Sequence, residues 1–119
     1  MKLDIERGPN WALIRLSGDI DSLWVKAQQE CIDEFLDDCP RLVVVDLELV
    51  TFMDSSGIAL LARCVKSCYN DNQGEVVVAG PNQAVRTGIK AVGLSQFLKV
   101  VDMPAEQVIR DASTTDGVP

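Results

Sequence analysis

Residues 42–45 read Leu-Val-Val-Val, an apolar run in which no alternate position is polar. A strand with one face in water alternates apolar and polar side chains, so an unbroken run of this kind belongs to a strand covered on both faces. A second such run, Val-Val-Val-Ala, occupies residues 76–79. Between the two lie Ile58, Leu60, Leu61, Cys64, Val65 and Cys68, spaced as one face of an amphipathic helix. Buried strands that alternate with helices imply an α/β domain, a sheet with helices packed on it through right-handed crossovers.

The remaining segments fit that scheme. Residues 11–16, Trp-Ala-Leu-Ile-Arg-Leu, read as a strand closed by a turn at Ser17-Gly18. Asp21 or Ser22 is the natural cap of a helix whose apolar positions run from Leu23 through Val25, Ala27, Cys31, Ile32 and Phe35 to Leu36, with Pro40 ending it. Residues 46–53 lead from the central strand to Asp54-Ser55-Ser56-Gly57, where the amphipathic helix begins, and residues 70–74 stop it. Gly80-Pro81-Asn82 is a turn with Asn82 as cap of a helix carrying Ala84, Val85, Ile89 and Val92. Gly93-Leu94 closes that helix, residues 97–101 form a short last strand, and Pro104 opens a final helix to about Arg110. Residues 1–112 are expected to make one domain and residues 113–119 a flexible tail.

Several classes of function are excluded by what the chain lacks. With no histidine, neither a Ser-His-Asp nor a Cys-His catalytic set can be assembled. Cys31, Cys39, Cys64 and Cys68 contain no CxxC pair, so no metal site is expected, and Cys64 and Cys68, at i and i+4 of a helix, fit small buried hydrophobes. A net charge of -7 argues against a nucleic-acid surface and favours basic partners. No apolar run approaches the ~20 residues of a membrane span. Lys2, Asp4, Glu6 and Arg7 replace the apolar core of a secretory signal, making the cytoplasm the expected compartment. The expectation is a protein that is not an enzyme and uses no cofactor.

The chemistry that remains is concentrated in Asp54-Ser55-Ser56-Gly57. Hydroxyls at the mouth of a helix sit beside free backbone N–H groups and the positive end of the helix dipole, where a phosphate is well held. The same four residues also make an ordinary cap, with Gly57 allowing a tight turn into the helix.

The stretch 42–61, LVVVDLELVTFMDSSGIALL, resembles the signature of the STAS family, the anti-sigma-factor antagonist domains. Residues 16–21, LSGDID, are similar to the family's first loop, with Asp19 where glutamate is usual. Residues 75–79 with 82–85, then Val92-Gly93-Leu94 and Phe97, are similar to its last third. The resemblance implies a four- to five-stranded mixed sheet with about four helices packed mainly on one face. It implies that Ser55 is the switch serine, phosphorylated by an anti-sigma factor with serine kinase activity and restored by a metal-dependent serine phosphatase. It further implies that Asp21 and Asp54 contribute to kinase docking. Around them Ser56, Gly57 and Met53 complete the expected partner-binding surface, with Met53 partly exposed and Ile58 buried on the inner face of the helix. Other members of the family are scaffold subunits of larger signalling assemblies, small-ligand sensors or parts of transporters. The short chain without a membrane segment favours the antagonist.

Overall fold

The computed structural model describes residues 2–37, 40–72 and 74–117. Its five strands are β1 (Lys2–Arg7), β2 (Trp11–Ile20), β3 (Leu42–Met53), β4 (Glu75–Ala79) and β5 (Lys99–Val101). Its helices are α1 (Ser22–Ala27), α2 (Gln29–Asp37), α3 (Ser55–Asn72), α4 (Gln83–Ala91) and α5 (Ala105–Gly117), with one 3-10 turn at Leu94–Gln96. The strands lie in sequence order across a single sheet, β1 antiparallel to β2 and the rest parallel. The architecture is therefore the mixed α/β sheet expected.

Double-sided burial of the central strand is borne out residue by residue. Val43, Val45 and Leu47 of β3, with Ala12, Ile14 and Leu16 of β2, face the main core. Onto it pack Trp24 of α1, Ile32 and Phe35 of α2, Leu61, Cys64 and Cys68 of α3, and Val85 and Ile89 of α4. On the opposite face Leu13, Val44 and Ala79 meet Ala105 of α5, flanked by Val108 and Ile109 at i+3 and i+4. Among the described residues four helices thus share one face, and α5 covers the other. Burial of Cys64 and Cys68 agrees with their reading as hydrophobes, Cys31 is exposed, and Cys39 lies outside the described residues.

An ion pair fixes the boundary of the α5 layer. Arg15 of β2 donates from Nε to Asp46 Oδ2 at 2.9 Å and from Nη2 to Glu106 Oε2 at 2.5 Å. Asp46 is only 5% exposed, and its other oxygen accepts the Glu48 amide at 3.0 Å, so the carboxylate is satisfied on both sides. Chiefly through the Asp46 hydrogen bond, the pKa of Arg15 is raised above its ordinary value and the guanidinium stays charged.

Several local expectations are corrected. The first strand is β1, in which half-buried Leu3 and Ile5 alternate with exposed Asp4 and Glu6 as an amphipathic edge strand requires. Ser17-Gly18 is not a turn, because β2 continues to Ile20 and Gly18, at φ +84°, sits where the β2–β3 register shifts. Residues 46–53 are not a connection but the second half of β3. The single helix expected after Asp21 breaks at Gln28 into α1 and α2, with Trp24 fully buried and Leu23 exposed. Val92 and Phe97 are exposed, and the last strand starts only at Lys99. The backbone of α3 runs to Asn72, and that of α5 continues past Arg110 through residues expected to start the loose tail.

Replacing Asp46 with alanine takes the buried partner from Arg15 and frees the Glu48 amide, so Asp46→Ala is expected to lower stability by about 2 kcal/mol, below the full cost of a broken buried pair because Arg15 keeps Glu106 and reaches solvent. Glu106→Ala, on the exposed side of the same arginine, is expected to cost less than about 0.5 kcal/mol. Equilibrium urea unfolding of the two variants checks the ranking.

Candidate functional site

β4 ends at Ala79, opposite Asp46, while β2 and β3 run on together as an overhang to Ile20 and Met53. Along it Arg15, Ser17, Gly18, Asp19 and Ile20 pair with Asp46, Leu49, Val50, Phe52 and Met53. Twice β3 thus carries one residue more than β2, at the two register shifts. The core-facing positions of β3 become Leu47, Val50 and Met53, three apart instead of two. The edge that β4 leaves open is closed by Asn82, whose amide donates to the carbonyls of Val50 and Thr51, each at 3.2 Å. Asn82 Oδ1 accepts from the Val85 amide at 2.9 Å, so the expected helix cap also ties α4 to the overhang.

Two helix mouths open side by side at the end of this ribbon. The Asp54 amide donates to the Ile20 carbonyl at 3.1 Å, holding the two connections together. Asp21 caps α1 by accepting the Trp24 amide at 2.9 Å. For α3 Asp54 plays the same part, its Oδ1 accepting the Ser56 amide at 2.9 Å and the Gly57 amide at 3.4 Å. The helix mouth therefore does not offer all its amides to a phosphate, because the aspartate has taken two of them. Ser55, the first residue of α3, is exposed, and Ser56 behind it is half-buried.

Gly57 is buried, and the reason is packing. A Cβ there would lie 2.3 Å from Met53 Cγ and 3.0 Å from Ile20 Cγ2, whereas its φ is not among the positive ones. The absent side chain lets α3 settle on the strand ends, which corrects its reading as a residue needed for the turn. Met53 is half-buried against the core, as expected, and Ile58 is half-buried rather than buried, its Cδ1 lying 3.4 Å from where a Gly88 side chain would begin in α4.

The structure thus brings Asp21, Met53, Asp54, Ser55, Ser56 and Gly57 to one end of the sheet. Residues 16–23 and 47–58 carry four acidic side chains, Asp19, Asp21, Glu48 and Asp54, and neither lysine nor arginine. Asp19 accepts the Thr51 hydroxyl at 2.6 Å across the ribbon. Asp19, Thr51 and Asn82 as site-shaping residues escaped the sequence reading; only the Asn82 cap left a signal. Among the described residues no group of three His, Cys, Asp or Glu side chains is placed to hold a metal ion, and no helix is long and apolar enough to cross a membrane. What the arrangement offers chemically is a serine hydroxyl presented outward, next to a carboxylate that is engaged by backbone.

Comparison with known proteins agrees with this fold. The STAS domain family model matches residues 2–107. The anti-sigma-B factor antagonist of Staphylococcus aureus is 26% identical over 87 residues, 73% of this chain and 80% of its own length. The anti-sigma-F factor antagonist RsfB of Mycobacterium tuberculosis is 29% identical over 89 residues, 75% of this chain and 71% of its own. Among solved structures, the anti-sigma factor antagonist SpoIIAA in its unphosphorylated form superposes with a TM-score of 0.74 at 20% identity, covering 98% of this chain and 100% of that one, a likeness of fold.

Two substitutions separate the roles of the loop residues. Asp54→Ala is expected to cost about 1 kcal/mol through the lost cap. Gly57→Ala is expected to cost about 1 to 3 kcal/mol through overpacking, and Met53→Ala in the same chain should recover part of that loss. A double-mutant cycle on thermal or urea unfolding, with additive effects as the contrary result, checks the contact between the two residues.

Proposed function

The chain belongs to the STAS domain family, and on that premise we propose that it is an anti-sigma factor antagonist switched by phosphorylation of Ser55. In this reading the unphosphorylated protein binds an anti-sigma factor with serine kinase activity and frees the sigma factor. Transfer of phosphate to Ser55 ends that binding, and a metal-dependent serine phosphatase restores it. The observation that carries the reading is the place of Ser55, exposed at the first position of α3, in one of two adjacent aspartate-capped helix mouths.

Phosphorylation adds close to two negative charges at neutral pH. At this site the new charge arrives beside Asp54 and Asp21, and the amides of Ser56 and Gly57 are already bonded to Asp54. The helix dipole offsets only about 0.3 to 1 kcal/mol of the repulsion. Covering the dianion with a protein surface lacking a matching cation costs several kcal/mol more, so the larger effect falls on the complex rather than on the fold. The chain itself needs no catalytic group, because the kinase supplies the chemistry.

The roles divide accordingly. Ser55 is the acceptor, Asp54 holds the helix start that presents it, and Asp21 contributes charge and shape beside it. Half-buried Ser56 and Met53 form the floor on which a partner would rest, with Gly57 buried against Met53. Ser56 is a poorer acceptor than Ser55, being half-buried one residue further into the helix.

Incubation with purified anti-sigma factor kinases and ATP tests the reading. Mass spectrometry is expected to place one phosphate on Ser55, and Ser55→Ala to remain unmodified while still binding. Ser55→Asp is expected to bind at least ten times more weakly than the wild type, with an unchanged far-ultraviolet circular dichroism spectrum. Equal affinity of Ser55→Asp and wild type for a kinase that binds both would eliminate the charge mechanism.

A further inference from the structure

We propose that the outward face of the β2–β3 overhang, centred on Leu49 and Phe52, is a second part of the partner-docking surface, and that it receives a protein surface presenting apolar side chains rimmed by lysine and arginine. The proposal rests on the antagonist reading and extends it to a face remote from the helix mouths' own side of the sheet.

Four observations lead there. Leu49 is 62% exposed and Phe52 51%, and they lie opposite Ser17 and Asp19, alternate residues on one face of β2. The two register shifts put Asp46, Leu49 and Phe52 in a row on this face, while Leu47, Val50 and Met53 turn to the core. Period-two alternation without those bulges would turn Glu48, Val50 and Phe52 outward and Leu49 to the core, so it is the bulges that set Leu49 beside Phe52. Isolated exposed hydrophobes are ordinary, but a neighbouring pair on a pleated face is a contact surface.

The cover of that face stops short of them. α5 packs on Leu13, Val44 and Ala79 and is tied to the sheet through Glu106 and Arg15, at the level of Asp46. Beyond that level, Leu49 and Phe52 belong to neither buried cluster of the described residues.

Charge identifies the occupant. Asp19, opposite Phe52, and Glu48, next to Leu49, lie in segments 16–23 and 47–58 that contain no lysine or arginine, and the next cation along the row, Arg15, is engaged by Asp46 and Glu106. A second copy of this chain docking face to face would set these acids against each other, since a twofold contact meets the same patch. A cationic rim around apolar side chains matches both the charge and the apolar centre. Phe52 precedes Asp54 by two residues, and the Ile20 carbonyl, next to its strand partner Asp19, holds the Asp54 amide. One partner surface bent over the strand ends thus touches Leu49, Phe52 and Ser55 together.

The test measures binding of a purified anti-sigma factor kinase to the full chain by calorimetry, at several salt concentrations. Leu49→Ser with Phe52→Ser is expected to weaken binding at least tenfold, as truncation of central apolar contacts does, while Val92→Ser, an exposed apolar position on another part of the surface, leaves it unchanged. Circular dichroism and the urea midpoint verify that the double variant is folded. Glu48→Gln is expected to flatten the salt dependence of binding, and an unaltered slope overturns the cationic rim. If the double variant binds as wild type while Ser55→Asp does not, the surface is refuted and the switch survives. If the double variant loses affinity while Ser55→Asp keeps it, the switch is refuted and the surface survives. A wild-type chain that binds no anti-sigma factor kinase overturns both.

Discussion

The constraint on which the rest of the structure depends is that β3 has water on neither face through its first half. With Val43, Val44 and Val45 covered above and below, its backbone groups can be satisfied only by strands on both sides, and β2 and β4 supply them. That requirement makes β3 central, sends α1 to α4 over one face and obliges α5 to cover the other. The buried ionised group on the strand, Asp46, stands where this regime ends, answered by Arg15 and by the Glu48 amide. Past it β4 is missing, and the strand must meet its obligations by other means, through the side-chain amide of Asn82 and two irregular steps in register.

The site inherits its rigidity from the same solution. Asp54 is held from its amide by the Ile20 carbonyl and, through its carboxylate, holds two amides of α3. A serine on such a cap is presented in a defined direction with little loop entropy left to lose. The capping role of Asp54 and the acceptor role proposed for Ser55 are therefore compatible. The aspartate and glycine build the helix start, by capping and by the close contact with Met53, and Ser55 is the residue left facing out.

How much of this was legible follows from which signals are local. The unbroken valine run, the Asn82 cap and the closing Gly93, at φ +80°, state their roles in their immediate neighbourhood. The mixed sheet with helices mainly on one face followed from those signals and from the family resemblance, as did the grouping of the site residues. The Ser17-Gly18 pair misled because its composition is that of a turn, whereas the ladder to the adjacent β3 keeps it paired between that strand's two bulges. β3 looked short because its bulges destroy the period of two after Leu47, so a strand of twelve residues reads as a strand and a loop. Trp24 lay off the apolar spacing that Leu23 and Val25 suggested, and only the break at Gln28 explains how α1 can bury the indole while α2 buries Ile32 and Phe35. The role of Gly57 was invisible for a different reason, since a residue needed for what it lacks leaves no pattern.

The three-residue stride of β3 has a consequence for how such a chain can diverge. In a regular strand, inward and outward positions interleave so closely that a one-residue slip exchanges them. Here each stride contains a core position, an outward position and a spare, with Leu47, Val50 and Met53 in the first set and Leu49 and Phe52 in the second. Drift at the second set can proceed without repacking the first. Paralogues arising within one genome could keep the same frame while ceasing to cross-react, a separation of inheritance from identity written into one strand.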